Sequence, residues 1–417
     1  MANIIDELKW RGLVRDFSNE EEVRKLLDKP TTIYCGFDPS ASSMHVGNFV
    51  MISLLMRLQQ AGHRIIAIVG GATGMIGDPS GKSKERNLLD TASLKSNTEK
   101  IRAQLARFIN LDDPKKGILL NNYDWISKLS TLDFLRDYGK YFPINYMLSK
   151  DIVASRLQTG ISYTEFSYMI LQSIDFLHLY ETEGCKLQIG GQDQWGNLTS
   201  GLELIRKLKG VDAEAGCFTV PLLLDENGKN FGKSVDGALY LDRNLVSPYK
   251  IYQYFINTSD DDSARYYKVF SFKSIPEIEA TIKEHYEKLG MRVAQKALAY
   301  EIVELIHGKE AADEVVKMSE ALFSGNIKDL SEANIMELFG DLKVVVESGK
   351  LLEDVLIEIK AASSKREARE FIKGNSISLN GEKNTDLACV VDSKLAMFNK
   401  YIVVRRGKKN YYLVELH

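Results

Sequence analysis

Four short apolar runs in the first half of the chain end in glycine or polar residues, with helix-length segments between them. They are "TTIYCGFD" (31–38), "RIIAIVGG" (64–71), "KGILLNN" (116–122) and "CKLQIGG" (185–191). "VGNFVMISLLMRLQQAG" is one of the intervening segments. Strands that alternate with helices of this length cannot pair as hairpins. They predict a parallel sheet covered on both faces, with ligands bound beyond the carboxyl ends of the strands. Three of those ends carry glycine, where a backbone must turn sharply or approach a ligand.

At 417 residues the chain is long for one domain. Periodicity becomes helical after about residue 245, so the expected boundaries are an α/β domain over 1–245, a helical domain over 246–322, a connector over 323–349 and a small α+β module over 350–417. Within that module "SSKREAREFIKG" reads as a helix with a serine cap and a closing glycine. Asn380-Gly381 predicts a hairpin turn, and "YIVVRRGKKNYYLVEL" a second hairpin with basic residues at its tip.

Charge is unevenly distributed. Residues 361–417 hold eleven Lys/Arg against six Asp/Glu, an excess of five positive charges, whereas the net charge of the whole chain is −3. A basic tail on an acidic body suggests a module with a polyanionic partner; the alternative is a merely solvated surface. No apolar run approaches the length that spans a bilayer. The N-terminus has no apolar signal core, and Cys35, Cys185, Cys217 and Cys389 are scattered without a C-x-x-C pair. A cytoplasmic protein with reduced thiols and no zinc site is expected.

"GDPSGKS" (77–83) looks like a phosphate loop, but G-x-x-x-x-G-K-[ST] needs its first glycine at position 76, which is Ile76. That spacing excludes a P-loop kinase. Other segments carry the chemistry. In "PSASSMHVGNF" (39–49) His45 and Asn48 fall at i and i+3 on the first turn of a helix, whose exposed N–H groups favour a phosphate. In "SYTEFSYMILQSIDFLHLY" Tyr168, Gln172 and Asp175 form a polar stripe on an otherwise apolar helix. Buried polar groups need partners, and a small polar ligand would supply them; a stripe facing water is the other reading. "DENGKNFGKS" (225–234) is a glycine-containing loop whose Lys229 and Lys233 could close over phosphates.

Taken together, these segments resemble the bacterial-type tyrosyl-tRNA synthetases, class I enzymes with a Rossmann-type catalytic domain. "MHVGN" is similar to the HIGH motif (39–48 with its loop) and "NFGKS" (230–234) to the KMSKS motif. "YCGFDPS", "GATGMIGDPSGK", "NYDW", "TEFSYMILQSIDF" and "IGGQDQWGN" resemble the family's other active-site segments, in the family's order along the whole chain. The resemblance implies that tyrosine attacks the α-phosphate of ATP to give tyrosyl-adenylate and pyrophosphate. The tyrosyl group then passes to the terminal ribose of tRNA(Tyr).

It also implies roles. Tyr34 and Asp175 would bond the phenol, while Asp78, Tyr168 and Gln172 would hold the ammonium, supported by Asn122 and Gln194. Gly36, Asp38, Gly191 and Asp193 would surround the adenylate. His45 and Asn48 would bind phosphates, with Ser40, Lys82, Arg86, Lys233 and Ser234 on the pyrophosphate. Magnesium would arrive with ATP, with no dedicated protein ligands. Lys365, Arg366, Arg369, Lys373, Arg405, Arg406, Lys408 and Lys409 would grip tRNA from a module similar to a ribosomal-protein RNA-binding domain, and the enzyme would be a homodimer.

Two departures stand out: Asn48 replaces the second histidine of HIGH, and Asn230 the first lysine of KMSKS. The alternatives are a tryptophanyl enzyme on the same scaffold and an RNA-binding protein with a degenerate synthetase body. The Tyr34/Asp175 pair argues for a phenol, since an indole has a donor and no acceptor. His45, Asp175 and Lys233 are all present, against degeneracy.

Overall fold

The computed structural model describes residues 3–81, 89–229, 231–234, 237–407 and 409–417, with only the backbone of Lys233 and Ser234. The chain forms two compact units. One comprises residues 1–246 and 258–298, the other residues 247–257 and 299–417.

The first unit is built on five parallel strands, β1 (Thr32–Phe37), β2 (Arg64–Val69), β3 (Gly117–Asn121), β4 (Cys185–Gly191) and β5 (Gly216–Val220). Their order is β3-β2-β1-β4-β5. The chain leaves β1 toward one edge and later returns to the other side of it, so a crevice opens between the ends of β1 and β4. The strands are rich in Val, Ile and Leu because helices cover both faces. On one face the helices Tyr163–Glu183 and Trp195–Lys209 pack on the sheet through a core that includes Ile66, Ile68, Ile174, Phe176 and Leu198. The helix Val46–Gln60 follows β1, and the helix Thr91–Leu105 precedes β3. Two short strands, β6 (Lys233–Ser234) and β7 (Gly237–Ala238), pair antiparallel beyond the sheet.

The fifth strand, "GCFTV", is one that patterning missed. It is fully buried and five residues long, too short for periodicity to separate strand from helix.

The second unit corrects the expected connector. Residues 323–349 hold a helix, Glu332–Phe339, and a strand, β8 (Lys343–Val346). The strand β9 (Lys350–Leu351) follows. Then come β10 (Ile377–Leu379), β11 (Glu382–Lys383), β12 (Val390–Val391), β13 (Tyr401–Arg406) and β14 (Asn410–Leu416). β8 pairs in parallel with β14, which completes a five-stranded mixed sheet of order β11-β10-β13-β14-β8. Tyr401, Val403 and Leu413 bury one face against Met318, Ile327, Ile335 and Phe339. Ile402, Val404 and Val414 bury the other against Leu352, Val355, Leu356 and Ile372. Burial on both faces explains why "YIVV" is continuously apolar instead of alternating.

The expected helical domain over 246–322 is also divided. The helices Asp260–Phe270 and Ile275–Glu287 belong to the first unit, and Pro248–Ile256 and Lys309–Ser324 to the second. The helix Lys365–Lys373 has its Ser364 cap, and the hairpin turn has Asn380 at φ 49° and Gly381 at φ 90°, as the Asn-Gly pair requires.

Candidate active site

The carboxyl ends of all five parallel strands open into one cleft of about 520 Å³. Tyr34, Gly36, Asp38, Ser40, His45, Asn48, Asp78, Asn122, Tyr168, Gln172, Asp175, Gly191, Asp193 and Gln194 all line it, although they span 161 positions of sequence. Lys82, Arg86, Asn230 and Lys408 lie outside the described residues, and the side chains of Lys233 and Ser234 do too.

One end of the cleft is a buried acid. Asp175 is 2% exposed, on the helix Tyr163–Glu183. Its Oδ2 accepts from Asn122 Nδ2 (2.9 Å) and its Oδ1 from Trp125 Nε1 (2.8 Å). Burial holds its pKa up at about 7 even though both hydrogen bonds favour the charged form. Tyr34, 2% exposed on β1, feels the Asp175 charge, and burial raises its phenol well above the ordinary tyrosine value. The neutral hydroxyl and the carboxyl offer one donor and one strong acceptor at an apolar end, a match for a group that both donates and accepts.

The polar stripe therefore faces the cleft and not water. A hydrogen-bonded chain crosses the floor from this end. Asn122 accepts from Ala72 N–H (2.8 Å) and donates to Thr73 Oγ1 (3.0 Å). Thr73 Oγ1 donates to Asp38 Oδ1 (2.9 Å), and Tyr168 OH donates to Asp38 Oδ2 (2.8 Å). Asp78 stands in a second cluster, where Oδ2 accepts from Gln194 Nε2 (2.5 Å) and Oδ1 from Ser80 N–H (3.0 Å). Tyr168, expected on an ammonium with Asp78, is thus engaged with Asp38.

The other end is the N-terminus of the helix Val46–Gln60. His45 is its N-cap, and Asn48 Oδ1 accepts from His45 N–H (3.0 Å). This bond fixes the Asn48 amide with its oxygen inward, so the group left to donate to a ligand is Nδ2. Gly47 leaves room for the His45 ring. A Cβ at position 47 would lie 2.8 Å from His45 Cε1 and 2.9 Å from Nδ1. Gly232, at φ 78°, comes down on this same turn, and a Cβ there would stand 2.9 Å from Gly47 N. The two glycines let the segment 231–234 rest on the start of the helix. Phe231 anchors it, with ring centroids 4.7 Å from Tyr266 and 5.4 Å from Phe270.

Sequence reasoning quoted "NYDW" but assigned no role to Trp125. Its spacing, three residues after Asn122 in a helical turn, was the available signal. Thr73 and Ser80 had none.

The basic set lies in the second unit. Arg369 makes two hydrogen bonds to Glu353, at 2.5 and 2.9 Å, and Lys365 pairs with Asp354 at 2.6 Å. Arg406 donates to Ala361 O (2.5 Å) and covers Phe371. These three make contacts within the module. Lys373 and Lys409 are exposed, Arg366 is 91% exposed beside Glu370, and Arg405 lies by Tyr411.

Two family models match the chain. One, described as tRNA synthetases class I (W and Y), covers residues 26–324; the other, a tyrosine–tRNA ligase SYY-like C-terminal domain, covers 334–414. The five-stranded fold and its cleft are those of a class I aminoacyl-tRNA synthetase of the tryptophan and tyrosine kind. The tyrosine–tRNA ligase of Bacillus caldotenax is 49% identical over 416 residues, and that of Listeria monocytogenes serotype 4a is 48% identical over 415, each covering 99% of both chains. A C-terminally truncated mitochondrial tyrosyl-tRNA synthetase from Aspergillus nidulans superposes with a TM-score of 0.70 at 33% identity, covering 78% of this chain and 95% of its own. The chain belongs to the tyrosine–tRNA ligase family.

Proposed function

We propose that the chain activates L-tyrosine with ATP, giving tyrosyl-adenylate and pyrophosphate, and then transfers the tyrosyl group to the 3′-terminal ribose of tRNA(Tyr). The observation that carries this reading is the cleft's polarity. A buried carboxyl–phenol pair closes one end, and a helix N-terminus with a histidine cap forms the other.

On this reading Tyr34 and Asp175 take the substrate phenol, and Asp78 with Gln172 and Gln194 takes the ammonium. Tyr168 reaches the ammonium side while holding Asp38, which faces the adenylate ribose with Gly36, Gly191 and Asp193. Tyrosine supplies its own nucleophilic carboxylate, so no protein nucleophile is needed. The chain's task is to bring two anions together and stabilise a crowded phosphate. His45, the Asn48 Nδ2 group and the first turn of the 46–60 helix meet the phosphates. Ser40, Lys82, Arg86, Lys233 and Ser234 take the leaving pyrophosphate. Magnesium would arrive with the nucleotide on this reading, and no step is assigned to a protein-held ion.

Of the described residues in the proposed set, Lys373, Lys409 and Arg366 are exposed and suited to meet tRNA phosphates, while Arg405 is half-buried and bonded to Tyr411 OH. The exposed apolar side chains Leu132, Leu135, Ile144, Leu157 and Tyr163 suit a face covered by a second copy of the chain. Among the described residues no helix is long and apolar enough to cross a membrane; a cytoplasmic site of action is part of the proposal.

Exchange of labelled pyrophosphate into ATP, run with each amino acid, tests the reading. Exchange that depends on tyrosine supports it; exchange with tryptophan, or none, overturns it.

A further inference from the structure

The loop between β1 and the 46–60 helix carries His45 yet has no regular secondary structure, and Ser43 and Met44 within it are 2% and 4% exposed. Buried irregular backbone must find its hydrogen bonds elsewhere. They come from two directions. From the helix Thr91–Leu105, Asn97 Nδ2 donates to Pro39 O (3.1 Å). Two turns beyond, Gln104 Oε1 accepts from Met44 N–H (2.9 Å) while its Nε2 donates to Ser43 Oγ (2.8 Å). From the segment after β7, Val46 N–H donates to Leu239 O (2.8 Å), Leu241 N–H to Met44 O (2.8 Å) and Asp242 N–H to Ser43 Oγ (3.2 Å). Ser43 Oγ donates its own proton to Met44 O (2.8 Å).

Ser43 Oγ is thus filled, with one proton donated and two accepted. The orientation of the Gln104 amide is forced as well, because Met44 N–H can only donate. Gln104 is 8% exposed and does not line the cleft. Its carbonyl oxygen and its amide nitrogen each bond one of the two residues before His45.

We propose that Gln104, acting through Ser43 and Met44, is a positioning residue for adenylate formation. It sets the backbone from which His45 projects. It also ties that backbone to the 239–242 segment leaving the β6–β7 hairpin, so the HIGH-like and KMSKS-like segments keep one spacing. The inference rests on the proposed function. Its physical weight comes from the sensitivity of phosphate chemistry to placement, where a displacement of about 1 Å costs roughly a hundredfold.

Single-turnover adenylate formation by Gln104→Met, which keeps volume and loses both hydrogen bonds, is the test. The expected result is a rate lower by about 10- to 100-fold at saturating substrates, with tyrosine affinity nearly kept and the melting temperature lowered because the Met44 N–H loses its acceptor. Gln104→Glu retains an acceptor for Met44 N–H and recovers part of the rate. In a His45→Ala background Gln104→Met has little further effect, because both act through one group. An unchanged rate, a parallel loss of tyrosine binding, or additive losses in the double variant overturns the proposal. If Gln104→Met does not fold, Ser43→Ala opens the same node with a smaller void and is read the same way. Absence of tyrosine-dependent pyrophosphate exchange in the unaltered enzyme overturns the functional reading itself, and this inference with it.

Discussion

Asp175 combines a buried position with two donors and a raised pKa, and each property has a measurable consequence. In Asp175→Ala the substrate hydroxyl loses its acceptor, and an unpaired buried polar group costs about 1–3 kcal/mol. The variant should lose preference for tyrosine over phenylalanine in adenylation; a preference left intact counts against the assignment. The pH dependence has a definite sign. A carboxyl whose folded pKa lies near 7, above its unfolded value of about 3.9, binds its proton more tightly in the native state. The stability it contributes is full below the unfolded value and is lost as pH rises through about 7. Asp175→Asn has no such loss, so thermal melts should show it gaining on the unaltered enzyme between pH 5.5 and pH 8. Trp125→Phe keeps the stack on His178 (centroids 4.5 Å apart) but deletes the donor to Asp175. Its tyrosine-binding pH profile should move upward, and an unmoved profile would assign Trp125 to packing alone.

At the scale of elements, the proposed chemistry would depend on how closely two backbones approach. Gly232→Ala meets two obstacles: a φ of 78° that L side chains rarely adopt, and a Cβ 2.9 Å from Gly47 N. Backbone strain of this kind costs about 1–3 kcal/mol, so the segment should lift from the helix. Gly47→Ala presses on the His45 ring, a side chain that can rotate away, and on Phe231 O at 3.4 Å. Both variants should slow adenylate formation with tyrosine binding kept, and Gly232→Ala should be the more damaging. The reverse order in single-turnover assays would show that ring placement, and not loop docking, limits the rate.

For the molecule as a whole, the prediction separates chemistry from RNA binding. The residues proposed for tyrosine and ATP all precede residue 235, and the positive excess follows residue 360. A cut after Gly349 would leave β8 without its partner β14; a cut after Ser324 falls at a helix end and at the limit of the matched synthetase region, and uncovers the Met318 face that Tyr401, Val403 and Leu413 bury. The 1–324 fragment should form adenylate and fail to charge tRNA. Among full-length variants, Lys373→Ala and Lys409→Ala should each reduce the slope of log affinity against log salt by about one or less. Arg369→Ala, which strips the 5%-exposed Glu353 side chain of its two hydrogen bonds, should lower the melting temperature instead. Normal charging by the fragment would remove the module from RNA recognition.

Local pattern was sufficient for the parallel sheet, the serine-capped helix and the Asn-Gly turn, because each rests on neighbours in sequence: an apolar run of strand length, a side chain bonding an amide three residues on, a backbone sign that few residues accept. The motif residues were legible for the same reason. Position in space was not. Asn122 meets Asp175 across 53 residues and Tyr168 meets Asp38 across 130, and nothing in either local stretch announces the partner. "KVVV" reads as connector until β14, nearly seventy residues later, supplies its hydrogen bonds. A four-residue strand has too little propensity of its own to exist without that pairing. The sequence by itself determined which segments could be strand, helix or turn. Tertiary structure decided which side chains are desolvated together, and desolvation gives Asp175 its raised pKa and Gln104 its two obligatory bonds.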